Sequence, residues 1–222
     1  MTESSSRIHD AAAGGGYLAH SVLDASTLET IRESNIGFLT LVAQRCAVRP
    51  GVGSFGLSAA AMAGIAALGA AGLRAAAGCP YTLFNLRFRD AAFWSGGARQ
   101  SGRDGSGSLS DEATFARTAI FLAWHLTRRA ELAAAVALGM TPAVKQAWRA
   151  LPLSAIDHAA TAALPHLAAR WGDHPLFWPK LIEAPQPEDR ARRHSVRLLG
   201  LQLLAADGIR ADGAWAESRP GR

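Results

Sequence analysis

Histidine and carboxylate side chains set the first chemical question. His158, His166 and His174 recur at every eighth position, with Asp157 and Asp173 beside two of them. Imidazole and carboxylate are zinc ligands, but they must converge on one point, and zinc motifs usually place paired ligands about two to five residues apart. A spacing of eight fits no such motif, so no metal site is expected. The chain also lacks a glycine-rich phosphate loop, a GxSxG nucleophile elbow and an HExxH helix. No catalytic residue and no cofactor are expected, and enzymes are the class excluded. Cys46 and Cys79 are too few for a disulfide framework or a four-cysteine zinc site, and they read as reduced thiols.

Arginine is the other chemistry on offer. Lys and Arg number 23 against 18 Asp and Glu, giving a net charge of +5 and a pI near 10.0. That balance suits an acidic partner such as nucleic acid. Arg45 and Arg49 lie at the end of one expected helix, and Arg128 and Arg129 at the end of another. Cations there are also favoured by the helix dipole alone, by about 0.3–1 kcal/mol. Arg190, Arg192, Arg193 and Arg197 form the densest run, either a phosphate-contacting surface or a solvated helix face. Arg74, Lys145 and Arg149 complete the candidate DNA contacts. Each belongs to a pair of helices joined by a tight turn, the outline of a helix-turn-helix. The second helices, GAAGLRAAAG and SAIDHAATAA, carry almost nothing that reads base edges.

These residues sit in a pattern that occurs twice. A step of 83 (121 − 38) carries Phe38 to Phe121, Arg45 to Arg128, Gly56 to Gly139 and Leu68 to Leu151. The same step carries Arg87 to Arg170 and Asp90 to Asp173, with no insertion needed. Arg–carboxylate pairing across a turn would fix the exit of each unit. The histidines have no such counterparts: their matching positions are Ala75, Leu83 and Ala91.

The elements that must position these groups are mainly α-helical. Residues 1–16 read as a disordered leader, since no basic start precedes an apolar run. The first unit, 17–94, opens with a short helix capped by Asp24 or Ser26, followed by a firm helix over 36–48. Ser58 caps the next helix, Gly69 breaks it, and residues 81–88 suit a short strand. A Gly/Ser linker occupies 95–111. The second unit, 112–184, runs through helices over 114–129 and 131–138, a Thr141-Pro142 start, a helix capped by Ser154 and a short edge strand within 166–171. A basic, Leu-rich helix over 188–206 and its tail fill 185–222. Residues 57–73 are uncharged, but the Ala and Gly there gain little from lipid, so no membrane span is expected.

Four strings carry a family resemblance: FLTLVAQR, FGL at 55–57 with LGM at 138–140, the two-helix segment between, and LRFRD at 86–90. The chain resembles FlhD, the small helical subunit of the FlhD–FlhC flagellar master regulator. The first match covers 36–94 and a looser second one 119–177, about half the chain. The resemblance implies two tandem FlhD-like units related by a pseudo-two-fold axis. It also implies a cytoplasmic transcriptional regulator of flagellar or mobile-element genes, acting on promoter DNA with a FlhC-like partner that carries the zinc-binding cysteines. Two units in one chain and the basic C-terminal helix depart from the family. The alternative expectation is a partner-binding adaptor, or a secretion or appendage accessory protein, without DNA binding.

Overall fold

The computed structural model describes residues 23–96, 110–184 and 190–217, with side chains through 208. The expected leader and nearly all of the expected linker lie outside these residues. What is described is mainly helical.

Helix α1, Ala25–Val48, starts where the Asp24 carboxylate accepts the Thr27 N–H. One helix therefore replaces the two expected across 17–48; nothing between Ile31 and Phe38 breaks it, and one face of Ile31, Asn35, Phe38, Leu39 and Val42 is buried throughout. Helices α2 (Ala59–Ala67) and α3 (Gly69–Ala76) follow, α2 capped by the Ser58 hydroxyl on Ala61 N–H. Gly69, at φ +62°, turns the chain between them, and their axes bend by 114°. A two-residue strand β1 (Phe84–Asn85) and a short helix α4 (Ala91–Ser95) close this half.

The second half opens with α5, Asp111–Arg129, capped by Ser110 and so three residues longer at its start than expected. Helix α6 (Glu131–Leu138) ends at Gly139 in the left-handed conformation, φ +69°. Helix α7, Pro142–Arg149, begins on the Thr141 hydroxyl with proline in its first turn. The expected Ser154 cap is absent: Leu153–Ala155 is a 3₁₀ turn that runs straight into α8, Ile156–Ala163. Strand β2 is Ala168–Ala169, α9 is Phe177–Glu183, and α10 is Arg190–Glu217.

Like elements recur, but not at one fixed step. The caps Ser58 and Thr141 stand 83 apart (141 − 58), as do the left-handed Gly56 and Gly139. The C-caps Arg49 and Ala130 are 81 apart (130 − 49), and the strands 84 apart (168 − 84). The chain between the C-cap and the next N-cap explains the first change. Pro50, Gly51 and Gly53 disfavour a helix there, whereas ELAAAVAL at Glu131–Leu138 forms α6.

The two short strands pair with each other, antiparallel, Phe84 opposite Ala169 and Asn85 opposite Ala168. Around them the Arg170 N–H donates to Leu83 O and Thr82 N–H to Ala137 O, both at 2.9 Å. An aromatic core covers this ladder. Phe84 packs on Phe38 and Phe115, and Trp148 lies 4.5 Å from Trp94 and 6.0 Å from Phe88, centroid to centroid. Among the described residues no single helix is long and apolar enough to cross a membrane; the bent α2–α3 pair meets that test only by joint length and composition.

Candidate nucleic-acid interface

Asn35 begins the chain of contacts that builds the site. Its buried amide donates to Ala77 O (3.1 Å) and Tyr81 O (2.9 Å), and its carbonyl accepts Leu83 N–H (2.8 Å). Three hydrogen bonds from one side chain on α1 thus fix the turn that leaves α3. Tyr81 is held in that turn with its ring buried against Trp171 and Phe177, and burial pushes its phenol well above the ordinary value. Its hydroxyl donates to the Val196 and Arg197 carbonyls of α10 at 3.3 and 3.4 Å. One turn on, Gly200 lies so close to the Tyr81 ring that no side chain fits.

Farther along, α10 is tied to both halves. Asp207 pairs with Arg89 (2.9 Å) and accepts the Trp171 indole N–H (3.1 Å). With α10 seated at these two places, its first turns lie beside α3. Arg193 and Arg197 there face Arg74 on α3 and Arg32 on α1 across an open groove of about 610 Å³. Its remaining lining is small and apolar: Ala67, Leu68, Ala71, Gly72, Ala75 and Gly78. At Gly78 a Cβ would come within 2.7 Å of the Arg197 guanidinium, so this side chain lies directly against the turn that leaves α3. Among the described residues none that lines the groove is a carboxylate; Glu29 pairs with Arg32 at 3.1 Å, with both side chains partly in solvent.

The other candidate contacts are placed differently. Arg45 pairs with Glu112 and sits over the Phe55 ring. Arg128 stacks 4.6 Å over Trp124 and donates to the Arg149 and Leu151 carbonyls, both at 3.0 Å. Lys145 is buried and pairs with Glu131 at 3.0 Å, and Arg149 pairs with the same carboxylate. Those two cations hold Glu131 below the ordinary carboxylate range, the Lys145 hydrogen bond first. Arg49 and Arg129 are exposed at the ends of α1 and α5, and Arg190 and Arg192 are exposed at the start of α10. The structure therefore gathers Arg74, Arg193 and Arg197, adds Arg32, and leaves the rest elsewhere. Sequence reading missed Arg32, whose i,i+3 partner Glu29 gives it the signature of an ordinary surface pair.

Arg87 and Asp90 form the expected pair, 3.2 Å apart, and the Asp90 carboxylate also caps α4 on Phe93 N–H. Arg170 and Asp173 do not repeat it. Asp173 is exposed, whereas Arg170 is buried and donates to the Ala137 and Leu138 carbonyls at the end of α6. Burial lowers its pKa to about 10, with the Asp207 charge acting the other way. The physical reason is the strand step of 84, one more than the sequence match. Trp171, at φ +53°, takes the left-handed position that Arg87 holds at +58°, and His174 stands where Asp90 does, although the helix after it starts only at Phe177. The His174 Nδ1 accepts Phe177 N–H at 3.1 Å, as the Asp90 carboxylate accepts Phe93 N–H. Among the described residues no group of three His, Cys, Asp or Glu side chains is arranged to hold a metal.

Comparison with protein-family models, with curated proteins and with solved structures finds no match to this chain.

Proposed function

We propose that this chain is a FlhD-like bacterial transcriptional regulator, a cytoplasmic protein that assembles with a FlhC-like partner and acts at promoter DNA within that assembly. In this proposal residues 17–94 and 112–184 are two tandem units about a pseudo-two-fold axis through the β1–β2 ladder. The observation that carries it is the register of that ladder. Phe84 pairs with Ala169 and Asn85 with Ala168, so a step of 84 (168 − 84) sends each strand onto the other and the ladder onto itself. An antiparallel pair has a local two-fold axis normal to its strands. The flanking caps Ser58 and Thr141, and the like acceptor roles of Asp90 toward Phe93 N–H and His174 toward Phe177 N–H, agree with two units of one design.

Support for a partner comes from the surface. Phe121 on α5 is 49% exposed and Leu153 58% exposed, side by side along one shallow groove. Large apolar side chains grouped in this way suit coverage by another protein. The same apolar pair favours the second reading, a partner-binding adaptor with no DNA role.

Promoter gel-shift assays of the chain, alone and co-expressed with the product of its neighbouring gene, test the proposal. Specific binding in the co-expressed sample is expected. Specific promoter binding by neither sample overturns it and leaves the adaptor.

A further inference from the structure

We propose that α10 is a releasable clasp across the β1–β2 seam, with Asp207 as its catch, so that breaking the Asp207 contacts frees the helix as a unit while both halves stay folded. The inference goes beyond the regulator reading and holds equally for the adaptor.

The hold on α10 is shallow. Among residues 190–208, Val196 and Gly200 are the two buried positions, with Leu199, Leu203 and Leu204 partly buried against the core. Segments with few buried apolar contacts open locally, at free energies well below that of global unfolding. Nor does this helix depend on its seat to stay helical. It runs for 28 residues, past the roughly 12–15 at which isolated helices are marginal. Its sequence from Arg190 to Ala206 is rich in Ala, Leu and Arg, all strong helix formers.

The ionic tie is concentrated at one residue. Asp207 is the sole carboxylate in residues 190–208. It pairs with Arg89 of the first half at 2.9 Å, and its backbone carbonyl accepts a second Arg89 N–H. From the second half it accepts the Trp171 indole N–H at 3.1 Å, and its charge favours the cationic form of the buried Arg170 guanidinium. A buried cation is costly without a counter-charge, so this carboxylate joins α10 to both sides of the seam. The other polar ties, from the Tyr81 hydroxyl, are long at 3.3 and 3.4 Å.

Release uncovers a surface that belongs to both halves. Tyr81 lies under Gly200, Trp171 under Asp207, and Gly139 at the end of α6 under Leu204. Cys79 lies near the other end of the docked helix and shares a small cavity with Arg193, Val196 and Arg197. Val196 precedes Asp207 by 11 residues (207 − 196), about 16 Å along a helix. Cys79 therefore reports movement of the whole helix, since a merely local loss at Asp207 would not reach it.

The test uses the full chain, iodoacetamide at mildly alkaline pH in native buffer, and peptide mass spectrometry of Cys79. Asp207→Ala and Asp207→Asn raise the labelling rate at Cys79 about tenfold to a hundredfold over wild type, as loss of a charged hydrogen bond implies. Arg89→Gln removes the same ion pair from the other side and raises the rate in the same direction. In each variant the rate stays nearly flat in urea below the unfolding transition, because freeing α10 exposes far less surface than global unfolding.

A wild-type rate in both Asp207 variants overturns the clasp. So does a rate that climbs with urea along the slope of global unfolding, since the halves then open together with α10. Failure of Asp207→Asn to fold, read by circular dichroism, overturns it as well, because the halves would not stand without the docked helix. Glu131→Gln weakens the far end of α6 and keeps the wild-type rate; an equal rise there means general destabilisation and also overturns the proposal. Promoter binding is decided separately by the gel-shift assays, so failure of the clasp and failure of the regulator remain distinguishable.

Discussion

Gly200 of α10 lies directly against the Tyr81 ring, so closely that a Cβ at position 200 would overlap the phenolic hydroxyl. The contact is the hinge pin of the arginine groove, because it seats the helix that carries Arg193 and Arg197. Gly200→Ala forces α10 outward. Overpacking of this kind costs about 1–3 kcal/mol, and in a chain of this size that lowers the thermal midpoint by about 2–12 °C. Differential scanning calorimetry reads the shift.

Asn35 is the second point of failure. Asn35→Ala leaves the Ala77 and Tyr81 carbonyls and the Leu83 N–H without their buried partner. The loss amounts to about 3 kcal/mol. Asn35→Asp keeps the acceptor for Leu83 but removes both donors, and adds a charge at a fully buried site. It destabilises at least as much, measured by urea unfolding at neutral pH.

Glu131 gives a pH dependence of definite sign. Its folded value is lowered below 4.5, first by the Lys145 hydrogen bond and then by Arg149. A carboxylate lowered on folding stabilises the native state above its unfolded value, and that contribution disappears as pH falls through the folded one. The thermal midpoint of the wild type therefore exceeds that of Glu131→Gln at neutral pH, and the gap narrows on acidification below 4.5. A gap that widens in acid contradicts the assignment.

The two thiols differ in reactivity. Burial pushes Cys79 up to about 11, whereas Cys46 is only half-buried on α1. Since the thiolate is the reacting form, a maleimide or iodoacetamide at mildly alkaline pH labels Cys46 alone. Cys79 becomes labelled only on unfolding. Mass spectrometry of tryptic peptides before and after denaturant distinguishes the two, and rapid native labelling at Cys79 contradicts its burial.

Much of the element order was legible in the sequence. Ser58, the Thr141-Pro142 pair, Gly69 and Gly139 mark helix ends by chemistry that acts within one turn, and the structure has breaks or caps at each. The two short strands lie within the segments expected to hold them. Ser154 misled because Leu153–Ala155 winds as 3₁₀ directly into α8, so the extended residue before the turn is Pro152, whose side chain cannot cap. The Arg170–Asp173 pair misled for a different reason. One additional residue before β2 leaves every local preference intact while moving Trp171 into the place expected of Arg170.

The amino-acid order alone set the helical character, the cap positions and the excess of positive charge, because each depends on residue type and near neighbours. Which arginines meet one another was settled only by packing. Arg45 reaches Glu112 across 67 residues and Arg89 reaches Asp207 across 118. Arg74 lies in a groove with Arg193 because Tyr81 and Gly200 bring α10 back over α3. Contacts of such separation leave no periodic trace in a sequence, since the intervening chain may vary in length without altering any local propensity.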